Sequence, residues 1–230
     1  VVNHGLIQGE KTLTLVATML DLLSGSSMLT GGALSLTGTT FMTAGHLQGQ
    51  TVSLNAQDWQ NRGNVLATGD LAVKVTQTMT TSGDIMSQGK ATLITSSMDN
   101  QGNLLSSGDL SLTSNDLVNS GSLLTAGDLT LTADDIHNTG QWQGKHVLVK
   151  AQDLTNRGAL QAEDRMTVTL RGTLQGSSDN NITSNGELAL SALTMNNAGQ
   201  WIAKNLTLQA DTLINNGEVT GVDGLTVSLR

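Results

Sequence analysis

Residues 101–119 read QGNLLSSGDLSLTSNDLVN, and residues 120–138, directly after them, read SGSLLTAGDLTLTADDIHN. Laid over each other, the two stretches share Gly at the second place, Leu-Leu at the fourth and fifth, Gly-Asp-Leu in the middle and Asn at the end. Residues 139–156 (TGQWQGKHVLVKAQDLTN) and 157–174 (RGALQAEDRMTVTLRGTL) continue the pattern with one residue fewer. Within each unit, short apolar runs alternate with Ser and Thr, as in Leu129-Thr-Leu131-Thr and Leu110-Ser-Leu112-Thr. Period-two alternation is the strand signal. No segment keeps a helical period over a helical length. A repeat of this size in strand-type sequence marks a solenoid, in which each unit is one coil.

Working outward, one residue anchors each unit: Gly5, Gly25, Gly45, Gly63, Gly83, Gly102, Gly121, Gly140, Gly158, Asn180, Gly199 and Gly217. The spacing is 18 to 22 residues, which predicts about twelve coils over the whole chain. Two residues after the anchor lies an apolar column: Ile7, Leu47, Val65, Ile85, Leu104, Leu123, Trp142, Leu160, Ile182, Trp201 and Val219, broken by Ser27. Four residues before the anchor lies a second: Val1, Phe41, Trp59, Met79, Met98, Leu117, Ile136, Leu154, Met195 and Leu213, broken by Asp21 and Gly176. These columns are expected to be the inward faces of two strands stacked coil upon coil. A third column, two residues before the anchor, is Asn3, Asn61, Asn100, Asn119, Asn138, Asn156, Asn197 and Asn215. A stacked Asn can pass an amide N–H to the carbonyl oxygen of the next and tolerates a turn conformation, which predicts a ladder at a corner. Gly-Asp at 69–70, 108–109 and 127–128 reads as the turn between strands, with Gly supplying positive φ.

Composition agrees with a thin core. Aromatic residues are 2% of the chain and Tyr is absent, too few for a thick globular interior. Pro is absent, as expected where every strand has neighbours on both sides. Cys is absent, so no disulfide forms. At a strand spacing of about 4.8 Å, twelve coils give a rod of roughly 55–60 Å. The net charge of −8 has no basic run, which argues against a nucleic-acid partner and against anionic membrane surfaces. No apolar run is long enough for membrane insertion and no signal peptide is visible. Val1 and Arg230 fall mid-pattern, without caps, so the sequence reads as one β-helix over 1–230, an excerpt of a longer filament with any targeting signal outside it.

Units such as SGSLLTAGDLTLTADDIHN follow the pattern N-x-G-x-[LW]-x-[AS]-G-D-L-x-L-x-[AS], clearest over residues 60–160. In this the chain resembles the haemagglutinin repeats of filamentous haemagglutinins and of contact-dependent growth inhibition exoproteins. The resemblance implies a right-handed parallel β-helix. It also implies secretion through an outer-membrane two-partner secretion transporter, and display as a filament on the outer surface of a Gram-negative bacterium. The amino-terminal secretion domain of that family carries Asn-Pro motifs and is therefore not present here. A structural stalk is the expected role, presenting a receptor-binding or toxin-bearing region. A receptor-binding segment that itself contacts a target-cell surface receptor is the second.

Parallel β-helices also carry polysaccharide-active enzymes, which need carboxylates converging on a groove. Asp116, Asp135 and Asp153 fall five residues before successive anchors, with Asp58 in the same column. Stacked about 4.8 Å apart, they either face water at a corner or hold a cation such as Ca²⁺. Asp134–Asp135 and Glu163–Asp164 are neighbours in sequence, so on a strand they point to opposite faces. His4, His46, His137 and His146 fall at four different repeat positions and form no ligand cluster. Trp59, Trp142 and Trp201 sit in the apolar columns and read as core. No catalytic residue, cofactor or metal site is therefore expected. The one irregular stretch, RGTLQGSSDNN over residues 171–181, reads as an inserted loop. Insertions in solenoids map to surface loops that often bind, so Ser177, Ser178, Asp179 and Asn181 are the candidate partner-contact residues.

Overall fold

Alternation puts Leu117 and Asn119, Leu123 and Thr125, and Leu129 and Leu131 on the inner side of three short strands. In the computed structural model, which describes residues 1–230, those strands follow one another around a thin core and close one coil. Asp116–Asn119 represents the first face, Ser122–Thr125 the second and Leu129–Thr132 the third. The chain is a parallel β-helix of about twelve coils, with no helix anywhere.

Each strand pairs in parallel with its equivalent in the next coil. Leu117 lies opposite Ile136, Leu123 opposite Trp142, and Leu129 opposite Val147. The two apolar columns are two of these faces. The third face carries paired inward columns of its own, such as Leu110 with Leu112 and Val147 with Val149, so a coil has three strands and not two. A continuous cluster of 51 buried apolar residues runs from Leu20 to Ala210, so neighbouring coils share one core along most of the rod.

Two corners exchange roles along the rod. In the early coils one strand runs without a break from the third face into the first, as in Thr12–Leu22 and Leu71–Thr81. From Gln141–Ala151 onward the unbroken strand joins the second face to the third instead. The change coincides with loss of the Gly-Asp turn, whose place is taken by Gly144-Lys145 and Glu163-Asp164.

The anchor glycines answer to crowding. A Cβ on Gly121 would stand 2.0 Å from the Gly102 carbonyl oxygen, and one on Gly140 the same distance from that of Gly121. At these regular corners the coils approach too closely for a side chain, and Ser26 and Asn180 occupy the row only where the corner gains residues. The Gly-Asp turns differ from the sequence expectation in the same way. Gly25, at φ 80°, is the positive-φ residue of the chain, so Gly69, Gly108 and Gly127 do not supply a left-handed turn. A Cβ on Gly108 would instead meet the Gly89 carbonyl oxygen at 2.7 Å.

The breaks in the columns are corner insertions. Ser26, not Gly25, occupies the anchor row: its carbonyl accepts from His46 N, as that of Gly5 accepts from Ser27 N. Met28 therefore fills the place assigned to Ser27, paired between Ile7 and Leu47. Leu20 fills the place assigned to Asp21, opposite Phe41. In the tenth coil Leu174 replaces Gly176, between Leu154 and Met195. All three substitutes are fully buried.

Candidate functional site

The asparagine column forms the ladder its spacing predicts, but inside the wall. Asn61, Asn100, Asn119, Asn138, Asn156 and Asn197 are buried. Asn100 Nδ2 donates to Asn119 Oδ1 at 2.7 Å, Asn119 to Asn138 at 2.8 Å and Asn138 to Asn156 at 2.9 Å. Except for Asn100, whose Oδ1 is buried without a partner, these amides also clamp their own corner. Asn138 Nδ2 donates to the Gly140 carbonyl, and Gly140 N donates back to Asn138 Oδ1, both at 3.2 Å. Buried amides with partners at both ends rigidify the corner they line.

The irregular corner at residues 176–181 interrupts this ladder, which starts again from Asn180. Gly176 stands in the asparagine column, in register with Asn156 and Asn197. Asn180, four residues on, turns its side chain into the space above that glycine, where a Cβ would meet Asn180 Nδ2 at 2.6 Å. From there Asn180 Nδ2 donates to Asn197 Oδ1 at 3.1 Å and to the Ser177 carbonyl at 2.6 Å. Asn180 Oδ1 accepts from the Trp201 indole N–H at 3.0 Å. The ladder then continues from Asn197 to Asn215 at 2.9 Å. Spacing places Asn180 in the anchor row in place of glycine and does not show its side-chain role. Its type was the available signal.

Of the candidate contact residues, Ser178 and Asp179 form the exposed tip of this corner. Ser177 and Asn181 are half-buried at its base, and Ser177 Oγ and Asn181 Oδ1 are shielded without a hydrogen-bond partner.

Asp116, Asp135 and Asp153 lie in register on the outside of the first face. Asp116 and Asp135 are exposed and Asp153 half-buried. Asp153 Oδ1 accepts from Thr173 N at 2.6 Å, and Asp58 Oδ1 from Thr78 N at 3.2 Å, so these carboxylates bridge to the backbone of the following coil. Asp70 and Asp109 do the same at the Gly-Asp turns, accepting from Lys90 N and Asp128 N at 2.9 Å each. No group of three His, Cys, Asp or Glu side chains is placed to hold a metal ion. His146 Nδ1 lies 2.8 Å from Asp128 Oδ1, and its Nε2 lies 3.5 Å from Asp164 Oδ2, in a row along one exposed corner. The tryptophans are core, as their column requires. Trp59 Nε1 donates to Thr43 Oγ1 at 2.9 Å, while Trp142 Nε1 is buried without a partner. The concavities are open troughs on the outside of the rod. One of ≈ 630 Å³ runs beside Leu66, Met86, Leu105 and Leu124, and one of ≈ 430 Å³ lies beside Asn115, Asp134, Lys150 and Arg171.

The model of the haemagglutinin repeat matches residues 2–71, 51–192 and 180–229, nearly end to end. The chain belongs to the haemagglutinin-repeat family. Curated relatives agree. The chain is 48% identical over 274 aligned residues to the 16S rRNA endonuclease CdiA of Enterobacter cloacae subsp. cloacae. It is 43% identical to the tRNA nuclease CdiA of Escherichia coli strain NC101, and 41% to Toxin CdiA of Escherichia coli. Each match takes in 99% of this chain but only 8% of the relative, so these haemagglutinin-repeat coils correspond to a small section of much longer proteins. No solved structure matches the chain.

Proposed function

We propose that this haemagglutinin-repeat segment is part of the stalk of a secreted, toxin-bearing exoprotein of contact-dependent growth inhibition. The observation that carries the reading is the unbroken stack: three parallel ladders, a shared core and an internal asparagine ladder, repeated in a family whose curated members include nuclease toxins. Such a stack resists bending, because deforming it strains backbone hydrogen bonds and packed side chains in every coil. The nuclease activities in the relatives' names belong to those proteins, of which the matching section is a small part. The segment itself is read as non-catalytic. Its outward carboxylates are committed to the backbone of the next coil or spaced along a flat face, and its concavities are open. Export through an outer-membrane two-partner secretion transporter and display on a Gram-negative cell follow from the same kinship.

The second reading assigns receptor contact to the corner of Ser177, Ser178, Asp179 and Asn181. Its support is the exposed tip together with the two unpartnered oxygens at its base. Binding of the labelled chain to a panel of Gram-negative cells, with unlabelled chain as competitor, separates the two. The stalk reading predicts no saturable binding. Competable binding that is lost in a Ser178→Ala, Asp179→Ala variant establishes the receptor reading instead.

A further inference from the structure

The outer side of the second face is unlike the other two. Three residues after the anchor, four successive coils present Leu66, Met86, Leu105 and Leu124, in register and pointing outward. Gln48 precedes this row and Gln143 follows it. Leu66, Leu105 and Leu124 are half-buried and Met86 is exposed. With coil steps of about 4.8 Å, they form an apolar ridge roughly 14 Å long. The trough of ≈ 630 Å³ lies alongside, between the ridge and the corner residues Gln88, Ser107 and Ala126.

Charge avoids this face. In a chain with 11 Lys and Arg and 19 Asp and Glu, its outward positions carry no Lys or Arg, and the carboxylates there are Asp84 and Glu218. Both are already hydrogen-bonded, Asp84 to Asn103 Nδ2 at 2.8 Å and Glu218 to Gln200 Nε2 at 3.1 Å. His46 is the remaining ionisable group, and its Nε2 lies 2.9 Å from Gln48 Oε1. A nearly neutral face is where a copy of a chain with net charge −8 meets least repulsion.

We infer that this face pairs with the same face of a second copy, with the two rods side by side and running in the same direction. The direction follows from ridge and trough lying next to each other. A two-fold axis parallel to the rod and passing between them seats the ridge of each copy in the trough of the other. A two-fold axis across the rod would set ridge against ridge and leave both troughs empty. A contact along the whole face, four residues wide and twelve coils long, offers at most about 750 Å² per copy, close to what a stable dimer buries, with the ridge and trough supplying the five coils from Leu66 to Gln143. The apolar ridge lies within it and the amides of Gln48, Gln143 and Gln161 flank it, an apolar centre with a polar surround. This pairing stands on the surface alone and does not depend on the stalk reading.

The chain lacks Cys, so introduced thiols report cleanly. Met86→Cys stands on the ridge, and Gln88→Cys lies across the trough from it in the same coil. Same-direction pairing puts the ridge of one copy in the trough of the other at the same level, so it predicts that these two variants cross-link with each other when mixed and oxidised, and that Met86→Cys does not cross-link when oxidised alone. It also predicts a two-chain mass by sedimentation at ~100 µM, with a dissociation constant raised about 100-fold in the Met86→Lys, Leu105→Lys variant. Both of those positions face outward, and circular dichroism of the variant checks that it stays β-rich. A one-chain mass at that concentration overturns the proposal. So does a dimer that survives the double substitution, and so does a Met86→Cys variant that cross-links with its own copy while the mixture with Gln88→Cys does not.

Discussion

Asn180 shows how one side chain restarts the amide ladder beyond an irregular corner. It donates to Asn197 and to the Ser177 carbonyl while accepting from Trp201. Removing it leaves the buried Trp201 indole N–H unpaired, while Asn197 Oδ1 keeps only the Gly199 N–H. Asn180→Ala should therefore destabilise the chain by about 2–3 kcal/mol in urea unfolding, more than Asn216→Ala, on the exposed turn of the last coil, which should cost little. Asn119→Ala removes a rung bonded on both sides and should cost a similar amount. Gly121→Ala tests the crowded corner. The new methyl meets the carbonyl of Gly102, and the coil must shift at a cost of about 1–3 kcal/mol, although the backbone there has no positive φ. Leu123→Asp places a charge in a fully buried column and should cost roughly 3–5 kcal/mol, whereas outward Thr130→Asp should change stability little. Equal costs at 123 and 130 would mean that the assigned register is wrong.

The strands were legible to the extent that they repeat. Leu104, Leu123 and Trp142 align by counting from one glycine, and they share a column in the structure. Ser27 and Gly176 looked like defects because counting cannot see a corner that gains residues. Register is set by the strands, and the corner absorbs the difference, so Met28 and Leu174 take the inward places. The third strand of each coil is visible in the sequence as alternation alone, as in Leu110-Ser-Leu112-Thr. The outward row of Leu66, Met86, Leu105 and Leu124 was missed for a different reason. Each follows an inward apolar residue directly, and two apolar neighbours in a row hide the alternation. Only the fold shows that they face opposite ways.

For the whole molecule, the consequence of stacking is a stiff rod without a thick core. Small-angle scattering should give an elongated particle of roughly 55–60 Å, and a compact sphere of the same mass would exclude the coil count. The central claim is that this rod acts through its length and stiffness and not through a recognition site. Its most direct test is a coil-for-coil replacement in the Enterobacter cloacae relative, which is 48% identical over the matching stretch. That section would be exchanged for the same number of haemagglutinin coils of different outward sequence, with inhibition of target cells measured alongside surface display. Inhibition retained at normal display is the predicted result. Loss of inhibition with display intact would contradict the account, because it would place recognition in the outward side chains of these coils.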